Sequence, residues 1–414
     1  MMVRMTWIAI LAALFATSAT VGATAGDLAI VHARIYASPG APAIDDGSVI
    51  VRDGRITAVG PAAKVRLDPG AEVIDGHGLV VMAGFWNSHV HLMGPAFVKS
   101  AAPSAASAQI ERMFTRWGFT TVFDIASLPG DAITLRKRIA AGEVTGPNIL
   151  TVDAPFYPNN GMPGYAKAIL AGAPSFETGT PQEAAARARR QLAAGADGVK
   201  IFAGSAVGGK VGVRAMPLDV AKAVVDEAHR LGKPAFAHPS NLEGLNVAIA
   251  SGVDVLAHTT PDGGAWPADM AARLKARRMA LIPTLTLWGV ELRKGDAAQA
   301  EIDRFTGVAQ TQLKTYADTG GQILFGTDVG YTDAVDTTAE YRLMSGAGLS
   351  WGQILASLTT SPARRFGFPR KGRIVPGMDG DLTVLSADPA RAIDAFAEVA
   401  YTIRAGQILY RSKP

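Results

Sequence analysis

Four histidines and one aspartate follow short apolar runs in this sequence. His89 and His91 follow the first run, His238 the fifth, His258 the sixth and Asp328 the eighth. Imidazole and carboxylate groups are ligands of divalent transition metals. Each histidine alone could equally be a satisfied core residue. Together, at the ends of four runs, the five residues predict a metal site.

Lys200 is a sixth candidate, because it lies between apolar neighbours in the segment GVKIF, residues 198–202. Burying an ammonium group without a partner is costly, so burial favours the neutral amine. A neutral amine can react with carbon dioxide to give a carbamate, an anion able to bridge two metal ions. The alternative is an ion pair between Lys200 and Asp124, which ends the second run. Taken alone, Lys200 favours this ion pair.

The elements that position these side chains alternate between apolar runs and helical patterns. One helix is predicted over Leu218–Leu231 and ends at Gly232. Eight strand–helix units favour an α/β fold, a (β/α)8 TIM barrel, whose strand ends meet at one face. The rival is a doubly wound open sheet, but the sequence lacks its glycine-rich dinucleotide turn. The eight runs are residues 80–82, 120–123, 149–152, 198–202, 234–237, 253–257, 280–284 and 322–325.

Both ends of the chain have β patterns outside the predicted barrel, residues 80–368. Residues 26–79 contain apolar runs, two of them separated by the hairpin signal Asp53-Gly54. The segment 369–414 contains further runs at 373–375, 381–385, 399–403 and 407–410. We expect the two terminal segments to form one small discontinuous β-sandwich domain.

Residues 1–25 have the pattern of a secretory signal peptide. Arg4 precedes an apolar stretch that is short for a membrane span, and small residues follow up to Ala23-Thr24-Ala25. A buried helix or a membrane anchor is the alternative. The pattern predicts a periplasmic or secreted protein without a stable membrane anchor after cleavage.

Composition excludes several chemistries. The chain has 414 residues and no cysteine, so thiolate metal sites, disulfides and cysteine nucleophiles are ruled out. Its net charge of +4 is spread along the chain without a dense basic run. We therefore expect a small-molecule substrate and no nucleic acid partner.

Four further residues are candidates for substrate binding. Residues 204–210 match G-x-x-x-x-G-K, but the phosphate-loop hydroxyl is missing at Val211. In this loop, Lys210 or Arg214 could bind a substrate carboxylate, and a solvated basic loop is equally compatible. Tyr157 and Tyr165 follow the third run and would line the mouth of the pocket, or pack.

The ordered motifs resemble the amidohydrolase superfamily, in its exported prolidase-like and imidazolonepropionase-related branch. One departure is Ala83, because the family usually has proline before the glycine that follows. The matching segments are GFWNSHVH at 84–91, GADGVKIF at 195–202, AFAH at 235–238, DVLAH at 254–258, FGTD at 325–328, TTSPA at 359–363 and GDL at 380–382.

The resemblance implies two divalent ions, with zinc favoured and manganese, cobalt or iron also compatible. Carboxylated Lys200 would bridge the ions together with a hydroxide that attacks the carbonyl group. Asp328 would pass a proton to the leaving nitrogen. The predicted ligands are His89, His91 and Asp328 for one ion, and His238 and His258 for the other.

The predicted function is therefore an exported binuclear amidohydrolase that cleaves an amide or peptide-like bond, as in an N-acyl amino acid or a dipeptide. One alternative is a mononuclear hydrolase or deaminase of a cyclic amide, of the imidazolonepropionase type. That relative lacks the bridging lysine, so Lys200 argues against it. Another alternative is a non-catalytic binding protein on the same scaffold, although no ligand appears lost. The sequence leaves both a monomer and a homo-oligomer open.

Overall fold

The computed structural model describes residues 27–67, 69–169 and 175–413. The predicted signal peptide, residues 1–25, lies outside the described residues. Within the described ranges, none of the helices combines the length and the apolar character needed to cross a membrane. Strands and helices alternate through the middle of the chain, and strands predominate at its ends.

The strands are β1 (Leu28–Ile35), β2 (Ile44–Arg52), β3 (Arg55–Pro61), β4 (Glu72–Asp75), β5 (Val80–Ala83), β6 (Phe85–Val90), β7 (Phe119–Asp124), β8 (Asn148–Thr151), β9 (Tyr157–Pro158), β10 (Glu177–Thr178), β11 (Val199–Phe202), β12 (Gly204–Gly208), β13 (Gly212–Ala215), β14 (Ala235–His238), β15 (Val255–Ala257), β16 (Ala280–Ile282), β17 (Gln322–Ile323), β18 (Leu382–Leu385), β19 (Val399–Arg404) and β20 (Gln407–Arg411). The helices are α1 (Pro103–Met113), α2 (Asp131–Ala140), α3 (Gly164–Ile169), α4 (Pro181–Ala193), α5 (Leu218–Arg230), α6 (Leu242–Ser251), α7 (Met270–Ala276), α8 (Leu285–Lys294), α9 (Gln299–Asp318), α10 (Thr338–Gly346), α11 (Trp351–Leu358) and α12 (Thr360–Arg365).

The two ends of the chain share one eight-stranded sheet. Its order is β20-β19-β18-β5-β1-β2-β3, with β4 beside β1. The β2–β3 hairpin turns at Asp53 and Gly54, whose φ angles of 46° and 74° are those of a type I′ turn. Apolar side chains of this sheet form a core of their own, which includes Ile30, Val49 and Leu382.

Strand β5 belongs to this terminal sheet. Val81 pairs with Val384 of β18 in an antiparallel ladder and with Ile35 of β1 in a parallel one. The prediction that residues 80–82 form the first strand of the parallel series was wrong, and that strand is β6. A short apolar run shows that a strand is buried on both faces, but it does not show which strands lie beside it.

The predicted strand at 373–375 is likewise absent from the sheets of the described chain. This segment is a bend whose Ile374 side chain is buried in the core of the terminal sheet. The amide of Ile374 donates to the carbonyl of Ala37 at 3.0 Å or less, at 2.8 Å. Burial of one isoleucine therefore produced the apolar pattern without a ladder.

The middle of the chain contains two parallel sheets, ordered β6-β7-β8 and β11-β14-β15-β16-β17. Two isolated parallel bridges connect the sheets, one between Phe156 and Ile201 and the other between Val90 and Val329. Side chains such as Phe123 and Phe236 form one apolar cluster within the sheets, and a larger cluster involves the surrounding helices. The carboxyl ends of these parallel strands carry the candidate site.

Candidate metal centre and its pocket

All six predicted ligands lie at or near the carboxyl ends of parallel strands. His89 lies in β6 and His91 directly follows it, while Lys200 lies in β11 and His238 ends β14. His258 follows β15, and its ring centroid lies 4.6 Å from that of His89 and 4.7 Å from that of His238. Potential ligand atoms of His89, His258 and Asp328 lie within 4.8 Å of one another.

Asp328 connects two of the histidines. Its Oδ1 lies 2.8 Å from Nε2 of His89 and 2.7 Å from Nε2 of His91. The backbone amide of Asp328 donates to the carbonyl of His89 at 2.9 Å. Burial opposes ionisation of Asp328, but the charges and hydrogen bonds of His89 and His91 outweigh it and hold the pKa of this carboxyl well below its usual value. The carboxylate form is therefore the stable one at neutral pH.

Neighbouring oxygen atoms orient the rings of His91 and His258. Nδ1 of His91 lies 3.0 Å from the carbonyl oxygen of Ala126, which can only accept, so this nitrogen carries the proton. Nδ1 of His258 lies 2.6 Å from Oγ1 of Thr284. In both rings this leaves Nε2 for a metal ion, which is the usual arrangement of a metal-binding histidine and its supporting group.

His238 has the opposite orientation. Its Nε2 lies 3.1 Å from Oγ of Ser240, and this hydroxyl donates to the carbonyl of Gly204 at 3.0 Å. Because the Ser240 proton is used on Gly204, the hydroxyl oxygen accepts from Nε2 and Nδ1 of His238 is free. The ring also stacks on Phe202, with centroids 4.8 Å apart.

Burial keeps the imidazoles neutral. Desolvation lowers the pKa of His89 and of His238 to about 3, and holds that of His258 well below its usual value. A neutral imidazole has the free lone pair that a metal ion requires. The backbone is strained at the same place, because His258, Thr284 and Asp328 have φ angles of 77°, 43° and 62° in the left-handed region.

Lys200 is 1% exposed and has no ion pair or hydrogen bond with any residue that the structure describes. The alternative pairing with Asp124 does not form. Instead, that carboxylate accepts from Ser127 Oγ at 2.7 Å, Thr151 Oγ1 at 2.6 Å and the Leu92 amide at 3.0 Å. Burial lowers the pKa of Lys200 to about 8, which makes the neutral amine accessible near physiological pH.

These groups fit divalent metal ions. The site combines neutral imidazoles, an ionised carboxylate and an amine without a partner, all of them buried or facing one cavity. In addition, Nδ1 of His89 is buried without a hydrogen-bond partner among the described residues. The protein itself therefore does not fix the tautomer of this ring, and a metal ion at Nε2 would do so.

The site opens into a cavity of about 290 Å³. Two aromatic pairs flank it: Tyr157 stacks on Phe202 with centroids 4.1 Å apart, and Tyr165 lies 5.1 Å from Tyr331. Trp288 presents its ring to that of His258 at 6.0 Å. Tyr157 and Tyr165 thus lie where the sequence analysis expected them. Further lining groups are Met93, Ser127, Val213, Ser240, Asp262, Leu287 and Glu291.

Lys210 and Arg214 lie on the hairpin of β12 and β13, and both are exposed. The residues of this hairpin that line the cavity are Ala206 and Val213, which are paired across the two strands. Arg214 is adjacent to Val213, so its side chain points to the opposite face. A role for Lys210 or Arg214 with a substrate carboxylate stays a prediction.

Sequence reasoning did not find Thr284, Glu291 or Tyr331. Thr284 follows directly after the seventh predicted run, the same kind of position that identified His238 and His258, and this was a usable signal. Glu291 lies on helix α8 and resembles any solvated helix residue in sequence, so no signal marks it. Tyr331 follows Asp328 by three residues and is recognisable only once that aspartate is placed.

Histidines and an aspartate at the carboxyl ends of parallel strands are typical of α/β metallohydrolases. The model of the amidohydrolase family matches residues 80–409. The chain belongs to the amidohydrolase family, as the motifs predicted, and its class is that of hydrolases acting on carbon–nitrogen bonds.

Several solved structures resemble the chain. A protein from Bifidobacterium longum, described as a candidate prolidase, is 26% identical and has a TM-score of 0.78, with 94% of this chain and 96% of that one covered. A Xaa-Pro dipeptidase with bound methionine has 20% identity and a TM-score of 0.79, over 94% and 100% of the two chains. Molinate hydrolase has 22% identity and a TM-score of 0.75, over 93% and 95%.

One curated relative matches over a short segment. Imidazolonepropionase from Rhizobium rhizogenes is 37% identical over 65 residues, which are 15% of this chain and 16% of that protein. The match thus spans less than a fifth of the relative's length. It agrees with the family but does not distinguish between cyclic and linear substrates.

Proposed function

We propose that the chain is an exported, binuclear metal-dependent hydrolase that cleaves an amide-like carbon–nitrogen bond in a small molecule. The observation that carries the proposal is the buried, unpaired amine of Lys200 beside four histidines and Asp328. The two bridges between the parallel sheets support a closed eight-stranded barrel. The shared terminal sheet supports a small second domain built from residues 26–79 and 369–414, with its middle strand β5 added.

Two groups of ligands follow from the orientations of the side chains. One ion would be held by Nε2 of His89 and of His91 together with Asp328, and the other by Nδ1 of His238 and Nε2 of His258. A carbamate on Lys200 would reach both. When bound, two divalent ions, with zinc favoured, lower the pKa of a water molecule and polarise the scissile carbonyl.

The residues of the chain supply the remaining chemistry. Asp328 is held as a carboxylate, so it can accept a proton at Oδ1 and deliver it to the leaving nitrogen. The aromatic side chains around the cavity exclude water from the reacting bond and position the substrate. Among the similar structures, a prolidase-type protein, a dipeptidase and molinate hydrolase all indicate a linear bond as the more natural target.

Metal content tests the proposal. The purified protein, loaded with zinc in the presence of bicarbonate, should contain two ions per chain, and Lys200→Ala should lose at least one ion together with activity. Lys233→Ala removes a lysine that is 40% exposed and serves as the matched control. Two ions and full turnover in Lys200→Ala would exclude the bridging role.

The same preparation distinguishes the alternative functions. One ion per chain with turnover of a cyclic amide would favour the mononuclear alternative. Metal binding without turnover of amides, dipeptides, lactones or cyclic ureas would favour a binding protein. Export is tested separately, by determining the N-terminal residue of protein recovered from the periplasm or medium, with Gly26 expected after cleavage.

A further inference from the structure

The cavity has an unusual balance of charge away from the metal ligands. Asp262 and Glu291 both line it, whereas Lys200 is the one described lining residue with an amine or guanidinium group. Carboxylation would turn Lys200 into an anion as well. The segment 170–174, which the structure does not describe, contains no charged residue in the sequence. A substrate carboxylate would therefore meet no basic side chain at the wall of this cavity.

The two acidic groups differ in their surroundings. Glu291 accepts from Tyr331 at 3.2 Å and from Lys294 at 2.7 Å, so its charge is partly compensated. Asp262 is exposed and has no hydrogen bond or ion pair within the described part of the chain. An uncompensated carboxylate at the wall of an apolar cavity attracts a cation and repels an anion.

The other walls favour the same kind of ligand. Tyr157 and Phe202 present stacked ring faces, and Trp288 and Tyr331 complete an aromatic surround. Aromatic faces carry negative quadrupole charge and attract ammonium groups, and they also pack against flat apolar groups. The lining thus combines aromatic faces with a free carboxylate.

From this lining we infer the substrate class: an amide-type compound with a flat aromatic body and a positively charged amine, whose charge is placed at Asp262. Compounds with a free carboxylate at that end are poor substrates. The inference rests on the proposed function for the bond that is cleaved, but the charge preference of the cavity is independent of it. It departs from the predicted role of Lys210 and Arg214.

Three probes of matched shape measure the charge preference without any turnover. Phenyltrimethylammonium, tert-butylbenzene and benzenesulfonate are a cation, a neutral compound and an anion, and the first cannot coordinate a metal ion. Binding to the zinc-loaded protein is measured by calorimetry or by competition. We expect the cation to bind about five-fold more tightly than the neutral probe, and the anion to bind most weakly.

Variants assign the preference to a residue. Asp262→Asn should weaken binding of the cation about three-fold and leave the neutral probe unchanged, whereas the exposed Asp269→Asn should alter neither. Tightest binding by benzenesulfonate, especially if it is lost in Lys210→Ala or Arg214→Ala, would overturn the inference. Equal effects of Asp262→Asn on the cation and the neutral probe would overturn it as well.

Turnover separates this inference from the proposed function. Phenylalanine p-nitroanilide with a free, an acetylated or a succinylated amine provides a cationic, a neutral and an anionic substrate. We expect kcat/KM to fall in that order. Hydrolysis of all three without this order contradicts the charge inference alone. No hydrolysis of any, with the probe order intact, contradicts the proposed function and supports the charge inference.

Discussion

The hydroxyl oxygen of Thr284 lies 2.6 Å from Nδ1 of His258. Thr284 directly precedes helix α8, and the first two amides of that helix, on Leu285 and Thr286, each donate to Glu340 at 2.8 Å. Glu340 is 1% exposed and lies on α10. A buried carboxylate therefore fixes the start of α8, the start of α8 fixes Thr284, and Thr284 orients a metal ligand.

Replacing Thr284 with valine keeps the side-chain volume and removes the partner of Nδ1. Because supporting hydrogen bonds orient metal-binding histidines, we expect Thr284→Val to weaken zinc binding by about 10- to 100-fold. Competition with a chelator of known affinity measures this change. Thr311→Val, on the exposed surface of α9, is the matched control. Unchanged zinc affinity in Thr284→Val would show that His258 is held by other contacts.

Glu340→Gln replaces an acceptor of three hydrogen bonds with an amide whose NH₂ group faces backbone donors. Buried donors left unsatisfied cost about 1–3 kcal/mol, so the free energy of unfolding in denaturant should fall by that amount. Zinc affinity should fall with it, since Thr284 is released. Glu301→Gln, an exposed first-turn residue of α9, should change either quantity little. A stability loss with full zinc affinity would separate the helix cap from the ligand.

Gly330 packs against the backbone of a metal ligand. A Cβ atom at this position would lie 1.9 Å from the carbonyl oxygen of His91, and φ is 99°. Gly330→Ala should destabilise the fold by about 3 kcal/mol or more and reduce metal content, because His91 must move. Gly307→Ala, on α9 with no atom within 4 Å, should instead stabilise by roughly 0.5–1 kcal/mol. Thermal unfolding and metal analysis of both variants check this pair.

Carboxylation of Lys200 should depend on pH. Because the pKa of Lys200 is lowered to about 8, the reactive neutral amine is lost as pH falls below that value. About 10% is neutral at pH 7 and about 1% at pH 6, so at fixed dissolved carbon dioxide the rate of reconstitution should rise about ten-fold from pH 6 to 7 and level off above about 8. The carbamate signal from ¹³C-labelled carbon dioxide measures it, with Lys200→Arg as the control. A rate independent of pH would contradict the neutral-amine route.

The ligand set could be predicted from sequence because its members occupy one repeated position. His238 and His258 each follow an apolar run, and parallel strands bring such positions to one edge. The prediction for residues 80–82 failed for a related reason. Their apolar pattern is the same as that of a strand in the parallel series, and only the pairing of Val81 with Ile35 and Val384 assigns them to the terminal sheet.

Other parts of the site depend on contacts that no local pattern records. Glu340 is an acidic residue in a helix, which in sequence is indistinguishable from a solvated one, and its burial follows from packing against the start of α8. The orientation of Arg214 depends on the register of the β12–β13 hairpin, which pairs Ala206 with Val213. A shift of one residue would have turned Arg214 toward the cavity.

The pairing of β5 with β18 has a consequence for the order in which the protein can fold during synthesis. Val80–Ala83 leaves the ribosome early, but its antiparallel partner Leu382–Leu385 leaves it about 300 residues later. Until then one edge of β5 has unpaired amides and carbonyls, which are prone to association with other chains. The nascent protein therefore stays unfinished until translation is nearly complete, and any factor that shields an open strand edge has most to protect during that interval.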